Sequence, residues 1–449
     1  MRTRVRSLAF VLMAMLVVGP PTALAARPGV ARGGADGLAG VATSPVGSPP
    51  MGVGNPSAVT WGARQNVGGN YSWSFGTHLA TTSSATKTYL HQVQMTDRVG
   101  GKWADNNGPY VGVNYVRGNA SGSSWGTPFR LNSSSQHGEA AVIAASGKYV
   151  YAAWYRITKF YNYNPDAPRT LYFRRNTKHG GSDFWKARVT MTSTSGRVGY
   201  PSIAATGALV YVAYTDADTG DIRLGTSTDN GATWDDAAVG TTTSIINNGF
   251  EGQPSVAAAG SNVVVSWLAD DASSVVAIVS IDGGANWDDP TTIDASTTET
   301  PSSAARDSRG GVAWATDAGV SLRTWSADTW SDPVAVAPPP GLKEYSLHYS
   351  PALAFGAAGQ VGIAWSSCWS ECDFNAETRV DQLWSESNDD GATWFDTQVV
   401  QSGAGNTWRL NDAGSVLWPT EGKRILGWNG YSLASLNYRM FLKVGSGTN

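Results

Sequence analysis

From about residue 57 onward the chain is a succession of short stretches with a hydrophobic period of two. Asp221-Ile222-Arg223-Leu224-Gly225-Thr226 is one: its apolar residues occupy alternate positions, which puts them on one face of a half-buried β-strand. A second kind of stretch is apolar almost throughout and ends in an aromatic: Tyr149 to Trp154, Val210 to Tyr214, Val263 to Trp267, Val312 to Trp314 and Val361 to Trp365. Arg424 to Trp428 fits the same description near the C-terminus, whereas the corresponding stretch near the front reads Gln92-Val93-Gln94-Met95. Strands covered on both faces have this composition. Small-residue strands come before them, such as Ile203-Ala204-Ala205-Thr206-Gly207 and Val256-Ala257-Ala258-Ala259-Gly260, and suit a crowded position. Helix contributes little, so the expected class is all-β.

Between the alternating strands one turn recurs. Ser227-Thr228-Asp229-Asn230-Gly231-Ala232-Thr233-Trp234 returns almost unchanged as Ser280 to Trp287, with Asp282 and Gly284, and as Ser387 to Trp394, with Asp389 and Gly391. The residue types fit a hairpin turn. The Asp carboxylate accepts hydrogen bonds from the turn's own backbone, the Gly takes positive φ without a Cβ clash, and the Trp offers a large apolar face for packing. This pattern resembles the Asp-box, or bacterial neuraminidase repeat, of the sialidase-like β-propellers. The resemblance covers roughly Ser57 to Val444. It implies an architectural role for these residues, because in that family the box lies between a blade's two outer strands, away from the active site.

With the Trp and its following strand as the ruler, weaker relatives appear at Trp125, Trp185 and Trp330, which makes six. A seventh, at Trp61, has no strand before it, and the C-terminal stretch to Val444 lacks a strand after it. Joining the two completes a blade. The expectation is therefore a single β-propeller of seven blades, closed by an N-terminal outer strand in the last blade, with six blades as the alternative. Successive Trp markers from Trp125 to Trp394 lie 43 to 64 residues apart, which suits four strands per blade.

The N-terminus carries Arg2, Arg4 and Arg6, then the apolar Leu8 to Val18, then Ala23-Leu24-Ala25-Ala26, which is the pattern of a secretory signal peptide over 1–26. Residues 27–56 are Gly, Ala, Pro and Ser with almost no aromatic residue and read as a disordered linker, leaving 57–449 for the propeller. A secreted protein, with cell-wall association as a variant, is expected. No apolar run is long enough for a membrane span. A net charge of -3 with 15% charged residues gives no reason to expect nucleic acid as partner. A monomer is expected. In an exported chain, Cys368 and Cys372 are expected to form a local disulfide, with free thiols or a metal pair as alternatives.

Assigning loops to blades separates two faces. One receives the inner hairpins and the boxes and offers little to a ligand. The other collects aromatics and charges of both signs, among them His137, Glu139, Arg197, Tyr200, Glu251, Tyr349, Trp408, Arg409 and Asp412. Such a surface suits a ligand with apolar ring faces and hydroxyl edges, and an extracellular glycan is the expected partner. His137, Arg197, Tyr200, Tyr349, Trp408 and Arg409 are the candidate binding residues. Glu139, Glu251 and Asp412 stand just before inner strands, and a pair of such carboxylates is the candidate acid and base of a glycosidase. A sialidase resemblance implies an arginine triad, a Tyr nucleophile assisted by Glu, and an Asp acid/base. Here Pro201, Pro254, Pro301 and Pro351 stand where an Arg-containing signature is expected, and none follows Arg. The first reading is therefore a carbohydrate-binding propeller diverged from catalysis; an exo-acting glycosidase of sialidase type and a protein-interaction scaffold are the alternatives. No cofactor is expected. Asp216-Ala217-Asp218-Thr219-Gly220-Asp221 spaces oxygens as a calcium loop begins, yet lacks the closing bidentate Glu, so turn chemistry is expected with calcium as the alternative.

Overall fold

The computed structural model describes residues 59–447 except for 72–73, 97, 100–101, 104–110, 158–167, 193–195, 243–252, 270–273, 295–299, 340–344, 358, 370–379, 403–407, 421 and 433–436. The expected signal peptide and linker lie outside the described residues. Period-two sequence becomes antiparallel sheet throughout. Blade 3 shows the unit in its simplest form: Ser202–Thr206, Leu209–Thr215, Asp221–Ser227 and Asp235–Thr241 pair in chain order, from innermost to outermost. Six sheets are built this way, starting at Ser74, His137, Ser202, Ser255, Ser302 and Tyr345. They form blades 1 to 6.

The seventh blade joins the two ends of the chain. Trp408–Thr420, Lys423–Ser432 and Asn437–Ser446 supply its inner strands, and Thr60–Trp61 and Gln65–Tyr71 both pair with the last of these. The register runs Thr60↔Ser446 and Trp61↔Gly445, then Gln65↔Leu442 to Val67↔Met440. The expected closure by an N-terminal outer strand is therefore the one observed, and the blade number is seven.

What packs the ring is visible in the core. The buried apolar residues fall into seven clusters, and each bridges two neighbouring blades. In six of the seven blades the aromatic near the end of the second strand faces the preceding blade: Trp154 lies with Val93 and Val113, Trp267 with Val256 and Ile222, Trp365 with Leu322 and Phe355. Trp154, Trp314, Trp365 and Trp428 are fully buried. Each such indole removes on the order of 200 Å² from water, which makes the seams the main source of apolar stabilisation. Side chains also stitch the inner hairpins blade to blade: Thr206 Oγ1 accepts from Gly260 N at 2.9 Å, and Asn262 Nδ2 donates to Asp307 O at 3.0 Å.

The recurring turns have one geometry. Ser227 Oγ accepts from Gly231 N at 2.8 Å and donates to Asp229 Oδ1 at 2.8 Å, while Asp229 Oδ1 accepts from Thr233 N and Oδ2 from Thr233 Oγ1. Ser280 with Asp282 and Ser387 with Asp389 repeat this network. Hydrogen bonds from Asn286 and Ser280 pull the Asp282 carboxyl down to about 2. Trp234, Trp287 and Trp394 each pack into the seam with the preceding blade, Trp234 edge-on to Phe173 at 4.7 Å. Blade 2 reaches the same end with another residue: Asn176 Oδ1 accepts from Lys178 N and Gly180 N, as the Ser does elsewhere.

Candidate functional site

The face opposite these turns is where inner strands begin and second strands end. In blade 2 the innermost strand, His137–Ser146, is irregular there. Val142 pairs with Ala153 and Glu139 with Tyr155, so two residues, Ala140 and Ala141, stand opposite the single Trp154. Ala140 takes φ 49, a left-handed conformation that a non-glycine residue adopts at a cost. Blade 6 repeats the device with Ser350 at φ 50 between the Tyr349↔Ser366 and Ala352↔Ala364 pairs. Bulges of this kind bend a strand end and re-aim its side chains. Here the result is that Glu139 and Tyr155 are direct cross-strand neighbours.

Tyr155 Oη donates to Glu139 Oε2 at 3.1 Å. The Tyr155 ring meets Tyr200 of blade 3 edge-on, with centroids 5.5 Å apart, and the Arg169 guanidinium lies 5.7 Å from its centre. Glu139 is half-buried, whereas Tyr155 and Arg169 are almost wholly enclosed. Burial raises the Glu139 carboxyl to about 7, against the opposing pull of the Tyr155 hydrogen bond and the Arg169 charge. Burial, followed by the neighbouring Tyr200 and Glu139, holds the Tyr155 phenol well above the usual tyrosine range. Oε1 of Glu139 accepts no hydrogen bond from the described residues. The site therefore presents a carboxyl fixed through Oε2, with Oε1 taking no hydrogen bond from the described residues, beside a half-buried tyrosine ring.

The other expected binding residues divide. His137 is buried, and its Nδ1 accepts from Val111 N at 3.0 Å; burial, then the Arg130 charge, lowers its imidazole to about 4. Arg197 pairs with Asp218 at 2.6 Å and donates to Ala217 O at 3.0 Å. Tyr349 is buried in the seam between blades 6 and 7. Trp408, Arg409 and Asp412 belong to the innermost strand of blade 7, at the same end, but their side chains are outside the described residues, as is the whole of Glu251. Cys368 is disulfide-bonded, and Cys372 lies outside the described residues. In the stretch read as a turn or calcium loop, Asp218 N donates to Asp216 Oδ1 and Gly220 N to Asp216 O, a hydrogen-bonded turn. Among the described residues no three Asp, Glu, His or Cys side chains are grouped to hold a metal.

Sequence reading singled out Glu139 and Tyr200 but not Tyr155 or Arg169, which join them. Only the bulge brings Tyr155 opposite Glu139. It also passed over Asp381 of blade 6, almost fully buried, which accepts from Tyr345 Oη and Ser402 Oγ at 3.0 Å each. On the opposite face, read as inert, a shallow depression lies among the inner hairpins of blades 3 to 5, lined by Thr206, Asn262, Arg306 and Asp307.

No family model and no curated protein matches this chain. Solved structures do. A protein of unknown function from Dyadobacter fermentans is 15% identical, over 70% of this chain and 95% of that one, with a TM-score of 0.45. The NanB sialidase of Streptococcus pneumoniae is 10% identical over 70% of this chain and 68% of its own, with a TM-score of 0.44. Trypanosoma rangeli sialidase, solved with sialic acid, is 11% identical over 85% of this chain and 58% of its own, with a TM-score of 0.47. The blade arrangement rests on the strand pairing itself and does not depend on these likenesses. No helix among the described residues is long and apolar enough to cross a membrane.

Proposed function

We propose that this propeller is an extracellular binding protein that takes the saccharide part of its ligand on the face where the inner strands begin, without cleaving it. The observation that carries the reading is Glu139: half-buried, locked through Oε2 by Tyr155, with Oε1 accepting nothing from the described residues, and beside Tyr200. A carboxyl near its midpoint at neutral pH both accepts from and donates to sugar hydroxyls, and a tyrosine ring covers the apolar face of a pyranose. The second reading, an exo-acting glycosidase of sialidase type, draws on the same Tyr155–Glu139 hydrogen bond. Against it, Tyr155 is 2% exposed with its phenol held neutral, and Arg197 is engaged by Asp218.

Titration of the protein against a glycan panel, with parallel hydrolysis assays on aryl glycosides including a sialoside, separates these readings. Saturable binding that weakens about tenfold in Glu139→Gln, without turnover, is the expected result; each tenfold step corresponds to about 1.4 kcal/mol. Turnover that disappears in Glu139→Gln would replace binding by catalysis. Silence across the panel, with retention of a polypeptide partner that Glu139→Gln leaves unchanged, would favour the scaffold reading.

A further inference from the structure

Charge is distributed unevenly around the ring. Between His137 and Thr190, the span of blade 2, nine Lys and Arg stand against three Asp and Glu; from Ser202 to Asp294, the span of blades 3 and 4, thirteen Asp and Glu stand against Arg223 alone. A chain of net charge -3 thus carries one strongly basic blade.

Four of its cations line the outer edge. Arg174 belongs to the third strand, Thr170–Asn176, on the side that Tyr172 turns to blade 1. Arg175 takes the other side and donates to Asp229 O and Asn230 O of blade 3. The segment carrying Lys178, Phe184, Lys186 and Arg188 runs back beside this strand to the outermost one, Val189–Thr190: Thr177 N donates to Phe184 O, Lys186 N donates to Arg175 O, and Phe173 pairs with Val189. Arg174 and Arg188 are thereby neighbours across two strands, a like-charge arrangement that destabilises a sheet. Burial, followed by the Arg188 charge, lowers the Arg174 guanidinium from its ordinary value.

What holds these cations is neutral. Arg174 donates to Lys186 O at 2.8 Å and Leu131 O at 3.0 Å. Arg188 donates to Gln136 Oε1 at 2.6 Å, with its guanidinium 3.9 Å from the centre of the Tyr172 ring. Lys178 Nζ lies 4.8 Å from the centre of Phe184, a ring that is 38% exposed. Lys178, Lys186 and Arg188 are exposed and Arg174 is half-buried. Among the described residues no carboxylate lies within ion-pair distance of any of the four; Asp183, the acid of the segment, accepts from Ser182 Oγ.

Cations gathered side by side without carboxylates lower the stability of the blade and raise the local potential for anions. From Thr177 to Tyr172 the strip covers five strand steps, roughly 17 Å, which matches charges repeated along a chain better than one compact anion. Bases of a nucleic acid call for a row of aromatic faces, whereas here Tyr172 lies under Arg188 and Trp185 is buried, leaving Phe184 as the open ring. One open ring beside guanidinium and ammonium groups suits a sugar with oxyanion substituents. We propose that the outer edge of blade 2 is a docking strip for an acidic polysaccharide, whose carboxylate or sulfate groups meet Arg174, Lys178, Lys186 and Arg188. The strip lies on the outer strands and Glu139 on the innermost one, so the two sites are separable.

The test uses the full chain and labelled polygalacturonate, dextran sulfate and uncharged dextran. The unaltered protein should bind an acidic polymer, more weakly as salt is raised, and leave dextran unbound. Binding of polygalacturonate alone would assign the strip to carboxylates, and of dextran sulfate alone to sulfates. The combined variant Lys178→Gln, Lys186→Gln, Arg188→Gln should weaken binding by about tenfold, whereas Arg306→Gln, a cation of blade 5, should change it by less than about twofold. Should loss of the Arg188 stack impair folding, read from thermal melts, Lys178→Gln with Lys186→Gln decides, with a weakening of about threefold. Equal affinity for dextran, wild-type affinity in the strip variants, or an equal loss in Arg306→Gln overturns the strip. Single-stranded DNA or polyglutamate bound as tightly as either polysaccharide overturns the assignment of the partner.

Discussion

At Glu139 the shape of one strand end and the titration of one carboxyl are tied together. The bulge at Ala140 brings Tyr155 across from it, and burial of this strand end raises the carboxyl to about 7 even though the Tyr155 hydrogen bond pulls it down. A folded-state value above the ordinary carboxylate range, about 4.3, means that Glu139 favours the folded state at low pH and loses that contribution as pH rises through 7. Glu139→Gln keeps an acceptor for Tyr155 and cannot ionise. It should match the wild type near pH 4 and exceed it by about 3 to 4 kcal/mol at pH 8, read from urea midpoints across that range; superimposable profiles would show that the carboxyl is not held protonated. A pair of glycines isolates backbone from packing. Gly231 has φ 77 and a Cβ there would lie 2.6 Å from Phe173, whereas Gly260 has φ 60 with nothing within 4 Å. Gly260→Ala should cost about 1 kcal/mol, and Gly231→Ala about 2 to 4 kcal/mol because overpacking adds to the strain.

At the level of elements, the unit of stability is a seam and not a blade, since every apolar cluster spans two sheets. The seam between blades 6 and 7 adds an ion pair. Arg424 Nε and Nη2 donate to Glu386 Oε2 and Oε1 at 3.0 and 3.1 Å, and the guanidinium stacks 4.3 Å from Trp418. Both side chains are nearly excluded from water, so removing one strands the other. Arg424→Met should cost about 3 to 5 kcal/mol in a denaturant titration. Adding Glu386→Leu to it should recover most of the loss, because no buried carboxylate then remains without a partner. A double variant no better than the single one would show that the guanidinium stabilises through Trp418 instead.

For the whole molecule the decisive contact is the join. Thr60–Trp61 and Gln65–Tyr71 cover the edge of Asn437–Ser446; Trp61 packs against Trp384 at 5.8 Å and donates to Gln398, and Val67 is fully buried. Deleting residues up to 71 removes these groups and leaves an open edge strand. A loss of roughly 4 to 6 kcal/mol is expected from the apolar burial alone, together with self-association through the exposed edge. Thermal unfolding and size-exclusion chromatography of the truncated chain check both. A truncated chain that stays monomeric with an unchanged melting temperature would mean that the ring holds without the N-terminal strands.

Strand period, turn chemistry and blade number were all legible along the chain, because each depends on residues close together in it: alternation within a strand, the Ser-Asp-Gly-Trp turn, the aromatic that ends most second strands. Even the long-range join followed, since a marker without its strand at Trp61 and strands without their marker near Val444 left one way to complete the count. Tyr155 beside Glu139 and Arg169 beside both were decided by tertiary structure. A bulge of one residue changes which side chains meet across a sheet, and burial on facing blades sets the carboxyl's proton affinity. Neither the bulge nor the burial has a signature in local sequence, because both arise only when separate strands are brought into register.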